Sequence, residues 1–214
     1  MNKSTIEWTD FTSNPIRGKC LHSCKYCYAE RIRVRFNQPE KLSFHVKELY
    51  QIAKRKKSTT IFMGSMHDIF GKWVPDQWIE DILNTIGDCP QHTFIFLTKN
   101  PARYHAFCFP DNCWCGYTDD GTKDLRNWSC LKNLPNRFVS LEPLIGDKVN
   151  IDMSRIDQVI IGAMTGPGAI KPQRMWIDKI IKAAGDTPVF LKNNLLQLFP
   201  DLKKRRELSW SLYT

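Results

Sequence analysis

An α/β fold built on a parallel sheet is predicted by three features of the chain. Short apolar runs of β-favouring residues alternate with segments whose apolar residues recur at helical spacing. The alternation yields six or seven strand–helix units within 214 residues, and no linker, sequence repeat or low-complexity stretch divides them. The runs are apolar throughout, as strands covered by helices are. Two architectures satisfy this pattern: an open doubly wound sheet and a partly closed barrel.

Thr5 to Trp8 and Asn14 to Ile16 read as a first short strand and its approach. Tyr28 to Phe36 is an arginine-rich helix. Val46, Leu49, Tyr50 and Ala53 fall at i, i+3, i+4 and i+7, one face of a helix. Thr59 to Gly64 (TTIFMG) is a buried strand. Pro75 and Asp76 open a helix with Trp78, Ile79, Ile82, Leu83 and Ile86 inward; Gly87 and Pro90 close it. Thr93 to Thr98 is a strand, with a short helix after Pro101. Cys113 to Tyr117 is a weaker strand, followed by a helix around Lys123 to Leu134. Arg137 to Leu141 is a strand whose connection, Ile145 to Ile156, has no strong helical pattern. Gln158 to Ala163 is a strand. Met175, Trp176, Ile180, Ile181 and Ala184 mark a helix, and Pro188 to Lys192 is the last strand. The chain reads as a single domain over 1–214, with a core of about 5–192 and a basic C-terminal tail, 193–214, of undefined structure.

In parallel α/β folds, chemistry gathers at the C-terminal ends of the strands. After the first strand come Cys20, Cys24 and Cys27; after the second, Ser65, Met66, His67 and Asp68. Thr98 and Lys99 end the third. Ser140 and Glu142 end the strand before Pro143. Thr165, Gly166 and Gly168 follow the next, and Lys192 and Asn193 the last. Helix capping accounts for Ser65, Asp68 and Thr165. It does not account for Lys99, Glu142 and Lys192, whose charges cost desolvation unless partnered. A shared polar site is the expectation. The glycine-rich GAMTGPGA offers backbone N–H groups to an anion, but has neither a Walker lysine nor G-x-G-x-x-G.

Cys20, Cys24 and Cys27 are spaced C-x3-C-x2-C on a strand-to-helix loop. A structural zinc site usually takes four protein ligands. Three thiolates without a fourth fit a [4Fe–4S] cluster that keeps one iron open for a substrate or cofactor. Buried thiols, or a zinc completed by His22, are the alternatives. Cys108, Cys113, Cys115 and Cys130 pose a second question, an auxiliary metal, although alternation along a strand brings Cys113 and Cys115 to one face without any metal.

Hydrophobic and charged fractions of 42% and 25% are ordinary for a globular domain. No apolar run approaches a membrane span, and MNKSTIEWTD lacks the apolar core of a secretory leader. Eight cysteines then point to a reducing compartment, the cytoplasm, with thiols as metal ligands or free groups. A net charge of +9 and the runs Lys54 to Lys57 and Lys203 to Arg206 suit a polyanion, though each run alone is also consistent with a solvated face.

C-x3-C-x2-C with Tyr26 before the third cysteine is similar to the signature of the radical S-adenosylmethionine (SAM) enzymes. IEWTD with the following NP, CYAER, the SM-x-D-x-F of Ser65 to Phe70, LTK-x-P, SLEPL and GPGA-x-x-P together resemble a phage-associated radical SAM family of unassigned function, from Ile6 to about Lys192. The chain departs from commoner radical SAM proteins in having Ser65-Met66-His67-Asp68 where Gly-Gly-Glu is usual, and in the cysteines of CWCGYTDDG.

The resemblance implies a partial (β/α)6, TIM-like barrel with parallel strands. It implies a [4Fe–4S] cluster on Cys20, Cys24 and Cys27 whose fourth iron is chelated by SAM. An electron from the reduced cluster would cleave the sulfonium, and the resulting 5′-deoxyadenosyl radical would abstract hydrogen from a substrate. The candidate cofactor-binding residues are Tyr26, Tyr28, Ser65, Asp68, Lys99, Glu142 and Thr165. Among them Asp68 or Ser65 would accept from the SAM amine, Lys99 neutralise its carboxylate, Glu142 bind ribose hydroxyls and Tyr26 lie near the adenine. Lys171 and Lys192 would meet an anionic substrate. The expected partners are an electron donor such as flavodoxin or ferredoxin, a nucleotide or nucleic-acid substrate, and a partner protein, with no membrane. The alternative function is a non-catalytic, metal-stabilised module that binds nucleic acid or a partner, or a sensor whose open iron binds something other than SAM.

Overall fold

A computed structural model of the chain describes residues 1–123, 131, 133–149, 152 and 155–210. In chain order the elements are β1 (Asn2–Lys3), β2 (Phe11–Ser13), β3 (Ile16–Arg17), α1 (Tyr28–Arg35), β4 (Ser43–Phe44), α2 (Val46–Lys54), β5 (Thr60–Met63), α3 (Asp76–Gly87), β6 (Thr93–Thr98), a 3-10 helix (Pro101–Ala106), β7 (Cys113–Thr118), β8 (Asn136–Leu141), β9 (Gln158–Ile161), α4 (Arg174–Ala184), β10 (Val189–Leu191) and α5 (Asn193–Leu198). Eight strands form one sheet in the order β1-β2-β5-β6-β7-β8-β9-β10. Every pair is parallel except β1 with β2. β3 and β4 make a separate antiparallel pair.

The order never reverses, which a doubly wound sheet would require. Because β-crossover-β connections are right-handed, a sequential order places the connections on one face. The side chains agree. Ile61, Phe94, Cys113, Val139, Val159 and Val189 share one core with Ile52 of α2, Ile79, Ile82 and Ile86 of α3, and Ile177 and Ile180 of α4. Each such buried aliphatic side chain contributes about 1.5–3 kcal/mol. The alternate residues, Phe62, Ile95, Trp114, Phe138, Ile160 and Phe190, form a second cluster on the other face with Trp8 and Trp210.

The sheet is not closed by hydrogen bonds, since β1 and β10 are its two edges. Side chains nevertheless join the segments beside those edges. Glu7 accepts from the backbone N–H of Asn193 at 3.1 Å and from Arg206 at 2.7 Å. The Trp210 indole donates to the Trp8 carbonyl at 3.0 Å. The chain after Lys192 is thus packed structure: α5 buries Leu195, Arg206 lies over the Phe190 ring at 4.1 Å, and Trp210 is buried.

One expected element moves, and one expected helix turns a different face inward. The first strand is Phe11–Ser13, and Thr5 to Trp8 is a bend and turn. Asp10 accepts from the Thr60 N–H at 3.0 Å and the Thr59 hydroxyl at 3.1 Å, which aligns the following residues with β5. The buried face of α4 is Ile177, Ile180 and Ala184, while Met175 is 69% exposed. The helix expected around Lys123 to Leu134 lies largely outside the described residues.

Candidate functional site

Strand alternation builds the site in layers. On the face carrying Trp8 and Trp210, the bulky floor is Phe62, Ile95, Trp114, Phe138, Ile160 and Phe190. Two residues further along each strand stand Gly64, Leu97, Gly116, Ser140, Gly162 and Lys192. Gly64, Ser140, Gly162 and Lys192 of that layer lie by the cavity or its wall, while the space over Gly116 is taken by the Phe138 ring. The next inward positions are Lys99, Thr118, Glu142, Met164 and Asn194, all lining a cavity of about 670 Å³ at the C-terminal ends of the strands. That volume is in the range of small-molecule and cofactor sites.

Cys20, Cys24, Cys27, Tyr26, Tyr28, Ser65, Asp68, Lys99, Glu142 and Thr165 all line this cavity. Thr165 is exposed at its rim. Lys192 lines it, whereas Lys171 does not.

The thiol loop is pinned to successive strand ends. His22, between the first two cysteines, meets Asp68 after β5 at 2.7 Å. Tyr26 donates to Asp120 after β7 at 2.7 Å and accepts from Lys99 after β6 at 3.0 Å. Tyr28 donates to the Ser65 carbonyl. Ser23, with φ +51°, turns the chain between Cys20 and Cys24. Cys27 is the N-cap of α1, its sulfur accepting from the Glu30 N–H at 3.4 Å.

These bonds revise the expected roles. Asp68 is saturated: it accepts from Phe70 N–H at 2.9 Å, Lys99 N–H at 2.9 Å, the Thr98 hydroxyl at 2.8 Å and His22. It is a knot between loop and sheet, with little acceptor capacity left for an amine. The Ser65 hydroxyl is engaged by the Asn14 side chain. Glu142 forms an ion pair with Lys192. His22 meets Asp68 through Nε2, the kind of carboxylate contact that also orients a metal-ligating histidine, so the zinc alternative stays open.

Burial raises the thiols of Cys20 and Cys24; at Cys24 the Lys99 ammonium opposes that rise. Burial and then the Asp120 hydrogen bond push the Tyr26 phenol up, which keeps it a donor. Burial alone would raise Asp120, but the hydroxyls of Thr122 and Tyr26 hold its carboxyl below the usual range.

Asp119 and Asp120 follow β7, so the strand-end rule reaches them as readily as it reaches Lys99. The sequence reading missed their role because the cysteines of CWCGYTDDG drew attention to metal binding. Cys113 and Cys115 are buried in the helix-side core, their thiols raised by burial, and Cys108 is exposed. These three are not drawn together; Cys130 lies outside the described residues.

Among the described residues, no group of three or more His, Cys, Asp or Glu side chains stands in the arrangement of a metal site. All seven described cysteines are free. By donor type the loop offers what a thiolate-held cluster uses: Cys20, Cys24 and Cys27 line one cavity and none is in a disulfide. Beside the cavity is an orphan, the Ser140 hydroxyl, buried without a hydrogen-bond partner among the described residues. Such a group is normally satisfied by a ligand or water. Among the described residues, no helix is long and apolar enough to cross a membrane.

Neither the curated proteins nor the solved structures include a match to this chain. A family model described as a protein of unknown function, DUF5131, matches residues 3–194, and the chain belongs to that family.

Proposed function

We propose that the chain is a radical SAM enzyme acting on a nucleotide or nucleic-acid substrate. The observation that carries this reading is the C-x3-C-x2-C loop, pinned through His22 and Tyr26 to three strand ends at the mouth of a cofactor-sized cavity. Cys20, Cys24 and Cys27 would hold a [4Fe–4S] cluster with one iron open to SAM. When bound, that cluster supplies the electron for reductive cleavage of SAM, which initiates hydrogen abstraction from a substrate.

The chain's own residues position and shield. His22 and Tyr26 hold the loop against the sheet. Lys99, already donating to Tyr26, retains hydrogens for an anionic group such as the SAM carboxylate. Trp8, Phe62 and Leu97 supply an apolar wall that limits water. Asp68 acts through His22 and the Lys99 backbone, and the amine contact passes to a backbone carbonyl. The singly wound sheet is read as a partial (β/α)6 barrel, which the contacts of Glu7 with Asn193 and Arg206 across its opening support. The setting is a reducing cytoplasm, with flavodoxin or ferredoxin as electron donor.

The test is anaerobic reconstitution with iron and sulfide, followed by dithionite and SAM. The expected result is a cluster absorbance, release of 5′-deoxyadenosine, and loss of that release on replacing any one of Cys20, Cys24 or Cys27 with alanine. A protein that holds a cluster but never cleaves SAM, or that holds zinc without sulfide, overturns the reading in favour of a non-catalytic metal-stabilised module.

A further inference from the structure

On the wall built by β8 to β10, Ser140, Glu142 and Lys192 occupy neighbouring inward positions, and Thr118 lies beside Ser140 in register. The Ser140 hydroxyl is buried and unpartnered among the described residues. Glu142 and Lys192 span Gly162 between them. A Cβ there would stand 2.9 Å from the Glu142 carboxyl and 3.0 Å from the Lys192 chain. The pair therefore lies directly over a strand that has no side chain at that point.

The pair is not spent on itself. One Glu142 oxygen takes the Lys192 ammonium. The other oxygen and two ammonium hydrogens have no partner among the described residues, so the wall presents an acceptor next to a donor. Trp8 and Phe62, in ring contact at 4.8 Å with their planes inclined at 58°, add aromatic faces to the same cavity. At the rim, Lys3 and Arg31 have no carboxylate partner among the described residues, and Arg31 reaches within 3.0 Å of the Cβ position of Gly166.

We infer that this wall binds the lactam edge of a nucleobase. In uracil, thymine and guanine a ring N–H sits beside a carbonyl. The N–H matches the free Glu142 oxygen and the carbonyl matches Lys192. Cytosine and adenine carry the donor on the exocyclic amine and the acceptor on the ring nitrogen, the reverse order along the edge, so with the phosphate held by the rim cations neither bond aligns in the same ring orientation. The planar ring suits those aromatic faces, and the rim cations suit the phosphate of the same nucleotide. This names the substrate class for the enzyme proposed above and rests on that reading, while the contacts themselves are separate from the thiols.

The experiment measures binding of UMP, GMP, CMP and AMP to the full chain by titration calorimetry, beside the Cys20→Ala/Cys24→Ala/Cys27→Ala variant. UMP and GMP are expected to bind at least about tenfold more tightly than CMP and AMP, because a mismatched edge leaves a desolvated group unpaired. The same preference is expected in the triple-cysteine variant. Glu142→Gln and Lys192→Met should each erase it. Gly162→Ala, which displaces the pair without removing it, should weaken it, with folding checked by thermal unfolding. Absence of binding, equal affinity for all four nucleotides, or a preference unchanged in Glu142→Gln overturns the inference. If SAM cleavage proceeds without any preference, the subsite fails alone; if the preference survives in a protein that never cleaves SAM, the enzyme reading fails alone.

Discussion

His22 and Asp68 meet at 2.7 Å although 46 positions separate them. One stands inside the cysteine loop. The other is bonded to Thr98 and to the backbone of Lys99 and Phe70. Their contact ties the loop to the ends of β5 and β6.

Asp68→Ala and His22→Ala should therefore separate two roles. Asp68→Ala leaves the Phe70 and Lys99 N–H groups without their acceptor and should cost about 1–3 kcal/mol, read as a lower urea midpoint. His22→Ala should cost less stability but lower iron incorporation on reconstitution. Equal stability loss in both variants would show that Asp68 is no knot.

Tyr26→Phe removes the hydroxyl that links Asp120 to Lys99. Amide exchange of residues 24–28 should quicken by roughly tenfold, as expected for the loss of a bond worth about 1 kcal/mol or slightly more. Unchanged exchange, followed by mass spectrometry or NMR, would remove Tyr26 as a pin.

Gly116 is covered by the Phe138 ring, whose nearest atom would lie 2.2 Å from an added Cβ. Gly116→Ala should destabilise by about 1–3 kcal/mol through overpacking. Adding Phe138→Leu should recover part of that loss, and a double-mutant cycle in urea measures the coupling.

Trp210 is buried against Trp8, Trp114 and Phe138. Trp210→Ala should cost about 3–5 kcal/mol in denaturant unfolding. A loss below about 1 kcal/mol, the scale of a surface change, would mean that this segment is not part of the core.

His92 is buried, with its ring nitrogen bonded to the Arg55 carbonyl at 3.1 Å, and burial lowers its pKa. The unfolded chain then binds the extra proton first. Stability from this residue is complete above the unfolded value of about 6.5 and falls as pH drops below it, by at most about 1.4 kcal/mol per pH unit. His92→Gln should flatten the dependence of the urea midpoint between about pH 7 and 5. An unaltered slope would place the acid sensitivity elsewhere.

Much of this was legible. Pro75 and Gly87 bracket α3 because helix ends carry local chemistry, and β6 runs from Thr93 to Thr98 as its apolar run does. The rule of strand ends collects Lys99, Glu142 and Lys192 into one cavity. What escaped is long-range. No local pattern shows that Asp10 would dock on Thr60 and displace the first strand to Phe11–Ser13. Trp210 reaches its place only through contacts with residues far back in the chain. The saturation of Asp68 and the Glu142–Lys192 pair depend on which strand ends become neighbours, which is a property of topology and not of spacing.

The run Lys54 to Lys57 begins at the last residue of α2 and precedes β5, and the Arg55 carbonyl is bonded to Gln91 and His92 just before β6. It sits at the opposite end of the strands from the cavity. Retention on heparin or phosphocellulose is therefore a misleading assay for this protein. A polyanion can be captured by that back end, and released by salt, without ever approaching the thiols. Experiments that seek the substrate by affinity should first neutralise that run and the exposed Lys203 and Lys204, so that neither basic run captures the polyanion.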